Sequence, residues 1–266
     1  ADHKTLVRVG RETCGYVTIG GSELTIIAGP CSVTSREDMA FVAENVKKQG
    51  AQMLRGGAYK PLTFHHRDPS LKLEGLKILR EMSDRFKLPV VTEVIDVRLV
   101  HEVAEYADML QVGARNMSNF PLLEELGKLR KPVLLKRHPG MSIRDWLGAA
   151  EYILKGGNDQ VVLCERGIVA PHTHDPNARF IIDIQAIAAA QQFTHLPVIA
   201  DPSHSTFNKR FVGPMACAAV AAGADGIIID VSPDPEHEPV DPLQALSHEE
   251  FEEIAQKLFA IQKIVR

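Results

Sequence analysis

Basic side chains recur directly after short apolar segments of this 266-residue sequence. The set comprises Arg55, Lys60, Arg115, Lys136 and Arg166. Arginine binds carboxylate and phosphate groups through paired hydrogen bonds, while lysine supplies a compact point charge. If the fold brings these cations together, they predict a small anion with several charges, such as one with both a phosphate and a carboxylate. The alternative is a set of structural ion pairs with Glu93, Glu165 and Asp201, which also follow apolar segments.

A second set of side chains has the chemistry of a metal site. It consists of Cys31, His204, Asp230 and Asp241. Thiolate, imidazole and carboxylate ligands together suit a borderline divalent ion such as Zn, Fe, Mn or Co. Their spacing matches no short metal-binding motif, and a lone cysteine after proline is often a small core residue. The residues themselves therefore leave both interpretations open.

Eight apolar segments carry or immediately precede most of these residues. They span residues 24–31, 52–57, 89–94, 108–114, 132–137, 160–167, 197–203 and 226–231. The sequence between them shows helical patterns, and residues 70–86 and 142–157 repeat apolar side chains with the 3.6-residue period of a helix. Near-continuous apolar runs that alternate with amphipathic helices predict parallel strands buried on both faces.

Eight such units predict a (β/α)8 TIM barrel, a fold of about 250 residues whose sites form at the carboxyl ends of the strands. An open doubly wound sheet is the alternative, disfavoured because no glycine-rich dinucleotide motif follows the first strand. Ahead of that strand, LVRVG and YVTIG predict a β-hairpin that either plugs the N-terminal mouth of the barrel or forms an oligomer contact. We expect residues 1–266 to form one domain, with residues 1–23 as its hairpin extension.

Composition narrows the classes of partner and compartment. A net charge of −4 gives no basic field for nucleic acid. The four cysteines include no CxxC pair, which favours a reducing compartment over a disulfide framework. Neither a signal peptide nor an apolar run of the ~20 residues that span a bilayer is evident. We therefore expect a cytoplasmic protein with no membrane partner.

Six short motifs occur in the order and spacing of one known family. They are IAGPCSV, LRGGAYKP, QVGARN, LLKR, LCERGI and LPVIADPSHS. From about residue 5 to the C-terminus the sequence resembles 3-deoxy-arabino-heptulosonate 7-phosphate (DAHP) synthase of the short type I beta class, and its relative 3-deoxy-manno-octulosonate 8-phosphate synthase. The resemblance implies a barrel that assembles as a homotetramer or homodimer. It also implies a transferase of the shikimate pathway, which condenses phosphoenolpyruvate (PEP) with a sugar-like aldehyde and releases phosphate.

The resemblance implies roles for individual residues. The positions that match PEP-binding residues are Arg55, Lys60, Gln111, Arg115, Lys136, Glu165 and Arg166. The positions that match ligands of a divalent ion (Mn, Fe, Zn or Co) are Cys31, His204, Asp230 and Asp241. The expected catalytic residues are Lys60, Lys136, His204 and Glu93. Relatives commonly have glutamate in the position of Asp230, which is one methylene shorter.

The sequence departs from the family on the side expected to bind the aldehyde. DAHP synthases usually read KPRT, in which arginine and threonine bind the phosphate of erythrose 4-phosphate, whereas this chain reads KPLT. The expected acceptor-binding residues are Leu62, Thr63, His65, His66 and Arg67. Residues 169–180 are longer than the family pattern, and His138 replaces a usual glycine. These changes leave two interpretations open. The chain is a DAHP synthase in which another cation, such as Arg67, replaces the arginine, or it keeps the PEP chemistry and uses a different aldehyde, such as one without the terminal phosphate.

Two further functions are compatible with the same residues. A Schiff-base aldolase would use Lys136 as its nucleophile, although a neighbouring Arg137 favours an electrostatic role for this lysine. A non-catalytic binding protein descended from the synthase would be expected to have lost its metal or PEP residues, and this chain keeps both sets. The sequence shows no appended regulatory domain, so we expect no feedback control by that route.

Overall fold

The computed structural model describes residues 4–60, 69–171 and 180–265. The eight apolar segments form a closed parallel barrel with the strand order β10-β3-β4-β5-β6-β7-β8-β9. Its strands are β3 (Thr25–Gly29), β4 (Met53–Arg55), β5 (Val90–Glu93), β6 (Met109–Val112), β7 (Val133–Lys136), β8 (Val161–Glu165), β9 (Val198–Ala200) and β10 (Gly226–Asp230). The barrel prediction is confirmed, and the open sheet is wrong because β10 pairs with β3 and closes the ring.

Helices cover the outside of the barrel. They are α1 (Arg36–Lys48), α2 (Leu73–Phe86), α3 (Val100–Tyr106), α4 (Phe120–Lys128), α5 (Ile143–Lys155), α6 (Ile184–Phe193), α7 (Pro202–Thr206), α8 (Lys209–Ala221) and α9 (His248–Val265). α5 begins with a capping box, in which Ser142 accepts the amide of Asp145 and Asp145 accepts the amide of Ser142. Among the helices of the described ranges, none combines the length and the apolarity that crossing a bilayer requires.

The interior of the barrel is filled by apolar side chains from every strand. This fully buried layer contains Ile27, Met53, Val91, Met109, Leu134, Val162, Cys164, Ile199 and Ile228. The predicted hairpin is present as β1 (Val7–Arg11) and β2 (Gly15–Ile19), paired antiparallel. Its side chains Val7, Val9 and Ile19 belong to the same buried layer. The hairpin therefore plugs the barrel, which leaves the opposite end as the open mouth.

An aspartate at the N-terminal end of the barrel fastens the hairpin to the strands. Asp108 directly precedes β6 and accepts the amide of Val90 at 2.8 Å and the Nε–H of Arg11 at 2.6 Å. Arg80 from α2 donates to both of its oxygens. The carboxylate is fully buried, and these donors compensate its loss of water.

Lys131 lies beside this cluster and donates to the carbonyl of Ala107 at 2.6 Å. Burial, reinforced by the positive charge of Arg11, lowers the pKa of Lys131 to about 8. An unfolded chain would hold this proton to about pH 10.5. Between these two pH values the unfolded state binds more protons than the folded state, so stability rises with pH across this window.

We therefore expect Lys131→Met to raise the urea midpoint of unfolding at pH 7, where the ammonium group is buried at a cost. The advantage should shrink as the pH approaches 10, because the wild-type lysine is then neutral in the folded state. Lys155→Met, at an exposed position of α5, is the control and should leave the urea midpoint unchanged both at pH 7 and near pH 10. An advantage of Lys131→Met that is equal at both pH values would contradict the assignment.

Candidate active site

A cavity of about 740 Å³ opens at the carboxyl ends of the barrel strands. Its lining includes all five predicted cations, which are Arg55, Lys60, Arg115, Lys136 and Arg166. Glu93, Gln111, His204 and Asp241 also line it. The tertiary structure thus brings together residues that are as far apart in the chain as Arg55 and Asp241. The cavity has the size and the polar lining of a small-molecule site.

The cations reach the cavity because each lies at or just beyond a strand end. Arg55 and Lys136 are the last residues of β4 and β7, and both are almost fully buried. Arg166 directly follows β8, and its guanidinium lies 4.3 Å above the ring of Phe180. Arg115 lies in a single 3-10 turn after β6. Strand pairing fixes the backbone of these positions, so their charges cannot move far apart.

Burial at the mouth works against the charge of Arg166. Burial lowers the pKa of its guanidinium, and the charge of Arg115 acts in the same direction, although Asp201 opposes both. A cation whose charge is disfavoured by burial at a cavity wall creates a site that a bound anion stabilises. This electrostatic arrangement fits the multiply charged anion expected from the sequence.

Asp201 directly follows β9 and binds two other residues of the site. Its carboxylate accepts the Nζ–H of Lys136 at 2.5 Å and caps α7 by accepting the amide of His204 at 3.0 Å. It also lies 3.1 Å from Nδ1 of His204. These partners, against the cost of burial, hold the pKa of Asp201 well below its usual range. The predicted structural ion pair therefore exists for Lys136 and Asp201, and it positions the lysine at the cavity wall.

Three predicted metal ligands lie within 4.8 Å of one another, namely Cys31, His204 and Asp241. Nε2 of His204 is 3.9 Å from Sγ of Cys31 and 3.9 Å from Oδ2 of Asp241. Burial lowers the pKa of His204 to about 4, so its imidazole is neutral at pH 7. With Nδ1 directed at Asp201, the free lone pair of Nε2 faces the other two ligand groups.

The backbone of Asp241 is strained. Its φ of +57° lies in the left-handed region, which non-glycine residues rarely adopt. The loop around it is closed at its base, where the amide of Ser232 donates to the carbonyl of Leu246 and the amide of Leu246 donates to that of Asp230. Strained residues persist where surrounding structure determines them, and they concentrate at functional sites.

Lys60 connects the cationic lining to the thiol. Its Nζ is 3.0 Å from Sγ of Cys31 and 3.0 Å from the carbonyl oxygen of the same residue. The anion-binding wall and the candidate metal site are thus contiguous.

The fourth predicted ligand, Asp230, is not part of the three-residue group. Its Oδ2 lies 3.7 Å from Nε2 of His204. Its carboxylate forms an ion pair with Arg55 and accepts a hydrogen bond from Nε2 of Gln244. The structure therefore brings Asp230 to the edge of the site and engages both of its oxygens with other partners.

Glu93 and Glu165 have different environments. Glu93 lines the cavity and accepts the Nε2–H of Gln111 at 3.0 Å. Glu165 lies behind the cavity wall, where it accepts the Nη1–H of Arg137 at 2.9 Å and the amide of Gly167 at 2.7 Å. Burial raises the pKa of Glu165, and Arg137 opposes this rise. In the described structure the carboxylate of Glu165 thus binds Arg137 and is not among the residues that line the cavity.

Sequence reasoning gave no site role to Arg137. Besides Glu165, its Nη1 donates to Asp183, the N-cap of α6, at 3.0 Å. Its Nε donates to the carbonyl of Met141 at 3.1 Å. Arg137 thereby joins the ends of two strands and the start of a helix. Its position after Lys136 was a visible signal, but only the fold shows which carboxylates it binds.

The expected acceptor-binding residues Leu62, Thr63, His65, His66 and Arg67 lie outside the described residues, as do residues 172–179. Their roles stay predictions. The described lining of the cavity also includes His138, Val169, Phe180 and Phe207. Nδ1 of His138 accepts the amide of Gly140 at 3.1 Å, which orients this imidazole within its own turn.

Comparison with known proteins adds independent information. The profile of the DAHP synthetase I family matches residues 7–266. The chain is 44% identical over 244 residues to phospho-2-dehydro-3-deoxyheptonate aldolase of Thermotoga maritima, covering 92% of this chain and 71% of the relative. It is 29% identical over 268 residues to 2-dehydro-3-deoxyphosphooctonate aldolase of Syntrophobacter fumaroxidans, covering 94% and 91% respectively.

Solved structures agree with this similarity. A crystal structure of phospho-2-dehydro-3-deoxyheptonate aldolase (DAHP synthase) from Thermotoga maritima has a TM-score of 0.90 at 42% identity, covering 98% of this chain and 74% of that one. A truncated form of 3-deoxy-D-arabino-heptulosonate 7-phosphate synthase from the same organism has a TM-score of 0.87 at 40% identity, with coverage of 98% and 93%.

The ligand group predicts a thiolate-bound metal. Titration of metal-free protein with Co²⁺ should produce a near-ultraviolet sulfur-to-cobalt charge-transfer band, because Cys31 supplies the sulfur. Cys31→Ser should abolish this band. Cys217→Ser, at a half-buried cysteine of α8 outside the ligand group, is the matched control and should retain it. A band that survives Cys31→Ser would assign the thiolate elsewhere.

Proposed function

We propose that this chain, which belongs to the DAHP synthetase I family, condenses PEP with an aldose phosphate and releases inorganic phosphate. The product is a 3-deoxy-2-keto sugar acid phosphate, of the heptulosonate type. The higher identity to the heptonate relative than to the octonate relative supports the shorter sugar. The observation that carries the proposal is the junction of two sites at one barrel mouth, where Lys60 contacts both the anion-binding wall and Cys31.

The cationic wall suits PEP, which carries a carboxylate and a phosphate group on the same carbon, C2. Arg55, Arg115 and Arg166 offer planar groups for paired hydrogen bonds to these oxygens. Lys60 and Lys136 add point charges whose positions are fixed by Cys31 and Asp201. Holding both ends of the molecule leaves its methylene carbon exposed for reaction, and positioning of this kind lowers the entropic cost of a two-substrate reaction.

The reaction forms one carbon–carbon bond and breaks one bond to phosphate. The methylene carbon of PEP attacks the aldehyde carbon, and positive character develops at C2 of PEP. Water adds at C2, and the resulting hemiketal phosphate collapses to the ketone as phosphate leaves. The cations of the wall stabilise the departing phosphate by charge that is already in place before the reaction begins.

The donor set fits a borderline divalent ion such as Mn, Fe, Zn or Co. Cys31, His204 and Asp241 would hold the ion, since their ligand atoms are close enough to share it. A bound ion supplies Lewis-acid polarisation of the aldehyde oxygen. The neutral imidazole of His204, held by Asp201, needs no deprotonation to act as a ligand.

Glu93 is our candidate for moving protons during water addition, because both ring nitrogens of His204 are engaged, one with Asp201 and one toward the metal site. Glu93 faces the cavity, and Gln111 fixes its carboxylate at 3.0 Å. A Cβ at Gly113 would lie only 2.1 Å from Oε1 of Glu93, so glycine is needed there to leave room for this side chain. A carboxylate held in this way is placed to accept a proton from an attacking water.

We also propose a single catalytic domain over residues 1–266, with residues 1–23 as its hairpin extension, that works in the cytoplasm as a homotetramer or homodimer. Analytical ultracentrifugation of the purified chain distinguishes these assemblies from a monomer.

The cation assignment predicts how PEP binding changes on substitution. Arg115→Met should raise the KM for PEP by about 10- to 100-fold, since a charged hydrogen-bond pair contributes about 1.5–3 kcal/mol. Arg98→Met removes a cation that is largely exposed on the surface, and it should leave KM unchanged. A KM for PEP in Arg115→Met within twofold of wild type would remove this residue from the site.

The identity of the aldehyde is tested by phosphate release. With PEP and Mn²⁺, erythrose 4-phosphate should support turnover, and erythrose without its phosphate should not. Leu62 in place of the family arginine favours the opposite outcome, turnover of an unphosphorylated or otherwise different aldehyde. Turnover of the unphosphorylated sugar alone would replace the acceptor in our proposal and keep the PEP half. Failure with every aldose would reject the reaction.

A further inference from the structure

The carboxylate of Asp230 lies between the cationic wall and the three-residue ligand group. We propose that Asp230 is not a direct ligand of the metal in this chain but the positioning partner of Arg55, and that Cys31, His204 and Asp241 are the only protein ligands among the described residues. The inference depends on the metal and PEP sites of the proposed function. It departs from the family pattern, in which a glutamate stands at this position.

The backbone of Asp230 is fixed on three sides. Its amide donates to Oγ of Ser203 at 3.0 Å, and its carbonyl accepts the amide of Leu246 at 3.0 Å. Its Cα pairs with that of Gly29 in the parallel register of β10 and β3. Because the strand is held by this network, the main chain cannot advance to compensate for a side chain that is one methylene shorter than glutamate.

Both oxygens of Asp230 already have buried partners. One forms the ion pair with Arg55, and the other accepts the Nε2–H of Gln244. Arg55 is 4% exposed and Gln244 is 0% exposed, so neither can turn to water if Asp230 leaves. Separating a buried charge pair strands an uncompensated charge, which is strongly unfavourable. Asp230 is therefore more stable on Arg55 than redirected toward an ion.

The geometry of the remaining ligands agrees with this assignment. Cys31, His204 and Asp241 lie mutually within 4.8 Å and Asp230 is outside their group, although its Oδ2 is 3.7 Å from Nε2 of His204. Three protein ligands leave an open coordination position, as catalytic metal sites require. That open position adjoins the cavity, since both His204 and Asp241 line it.

The consequence for PEP concerns Arg55. The ion pair with Asp230 fixes the direction of its guanidinium at the end of β4 before any substrate arrives. An arginine held in this way loses less conformational entropy when it binds an anion. Asp230 thus acts on the reaction through Arg55, and its loss should affect PEP binding more than metal binding.

Two carboxylate-to-amide substitutions form a matched pair for the test. Metal-free wild type, Asp230→Asn and Asp241→Asn are titrated with Co²⁺ by calorimetry, without PEP or aldehyde. We expect Asp230→Asn to bind Co²⁺ within about threefold of wild type, and Asp241→Asn to bind at least about tenfold more weakly. At saturating Co²⁺, Asp230→Asn should also raise the KM for PEP. An equal loss of metal affinity in the two variants, or an unchanged KM for PEP in Asp230→Asn, would overturn the inference.

Asp230→Glu keeps the charge and decides the question if Asp230→Asn does not fold by circular dichroism. The longer side chain should reach the open side of the ligand group, tighten Co²⁺ binding and change the visible spectrum of the bound ion. Unchanged or weaker binding would show that the aspartate is already a ligand. If wild type binds no divalent ion at all, the metal site of the proposed function fails; if wild type binds Co²⁺ and Asp230→Asn loses as much metal affinity as Asp241→Asn, this inference alone fails.

Discussion

Burial of several cations at one end of a barrel is the constraint on which the site depends. Parallel strand pairing fixes Arg55 and Lys136 at the rim, and neither side chain can extend into bulk water. Arg55 is paired with Asp230 and Lys136 with Asp201, each aspartate coming from the strand end two places away around the barrel. Burial lowers the pKa of Arg166 although the charge of Asp201 opposes this, so an anion bound beside its guanidinium is stabilised.

The same aspartates connect the anion site to the metal site. Asp201 binds Lys136 through one oxygen and orients His204 through the other. A substitution that displaces Asp201 would therefore disturb both the anion site and the metal site. Lys60 makes a second connection, because its ammonium group contacts the thiol of Cys31. An aldehyde at the metal site and PEP on the cationic wall would consequently meet at a fixed distance, which is what carbon–carbon bond formation requires.

The plugged end of the barrel makes this arrangement possible. Val7, Val9 and Ile19 of the hairpin complete the buried layer inside the barrel, and Asp108 ties the hairpin to the strand ends through Arg11. Parallel strands have their carboxyl ends at the other mouth, where loops can vary without loss of the core. In the sequence, the departures from the family pattern begin at Leu62 and at residue 169, after β4 and β8 respectively.

The sequence by itself determined the barrel, because eight apolar runs separated by amphipathic helices can be buried on both faces only in a few architectures. It also determined which residue types meet at the mouth, since each chemical group follows a strand end. The direction in which each side chain points was decided by the tertiary structure alone. Glu165 and Arg166 are adjacent in sequence, yet one binds Arg137 behind the wall and the other lines the cavity. Asp230 likewise follows its strand as expected, but its pairing with Arg55 depends on the contact between β10, β3 and β4, which no local pattern encodes.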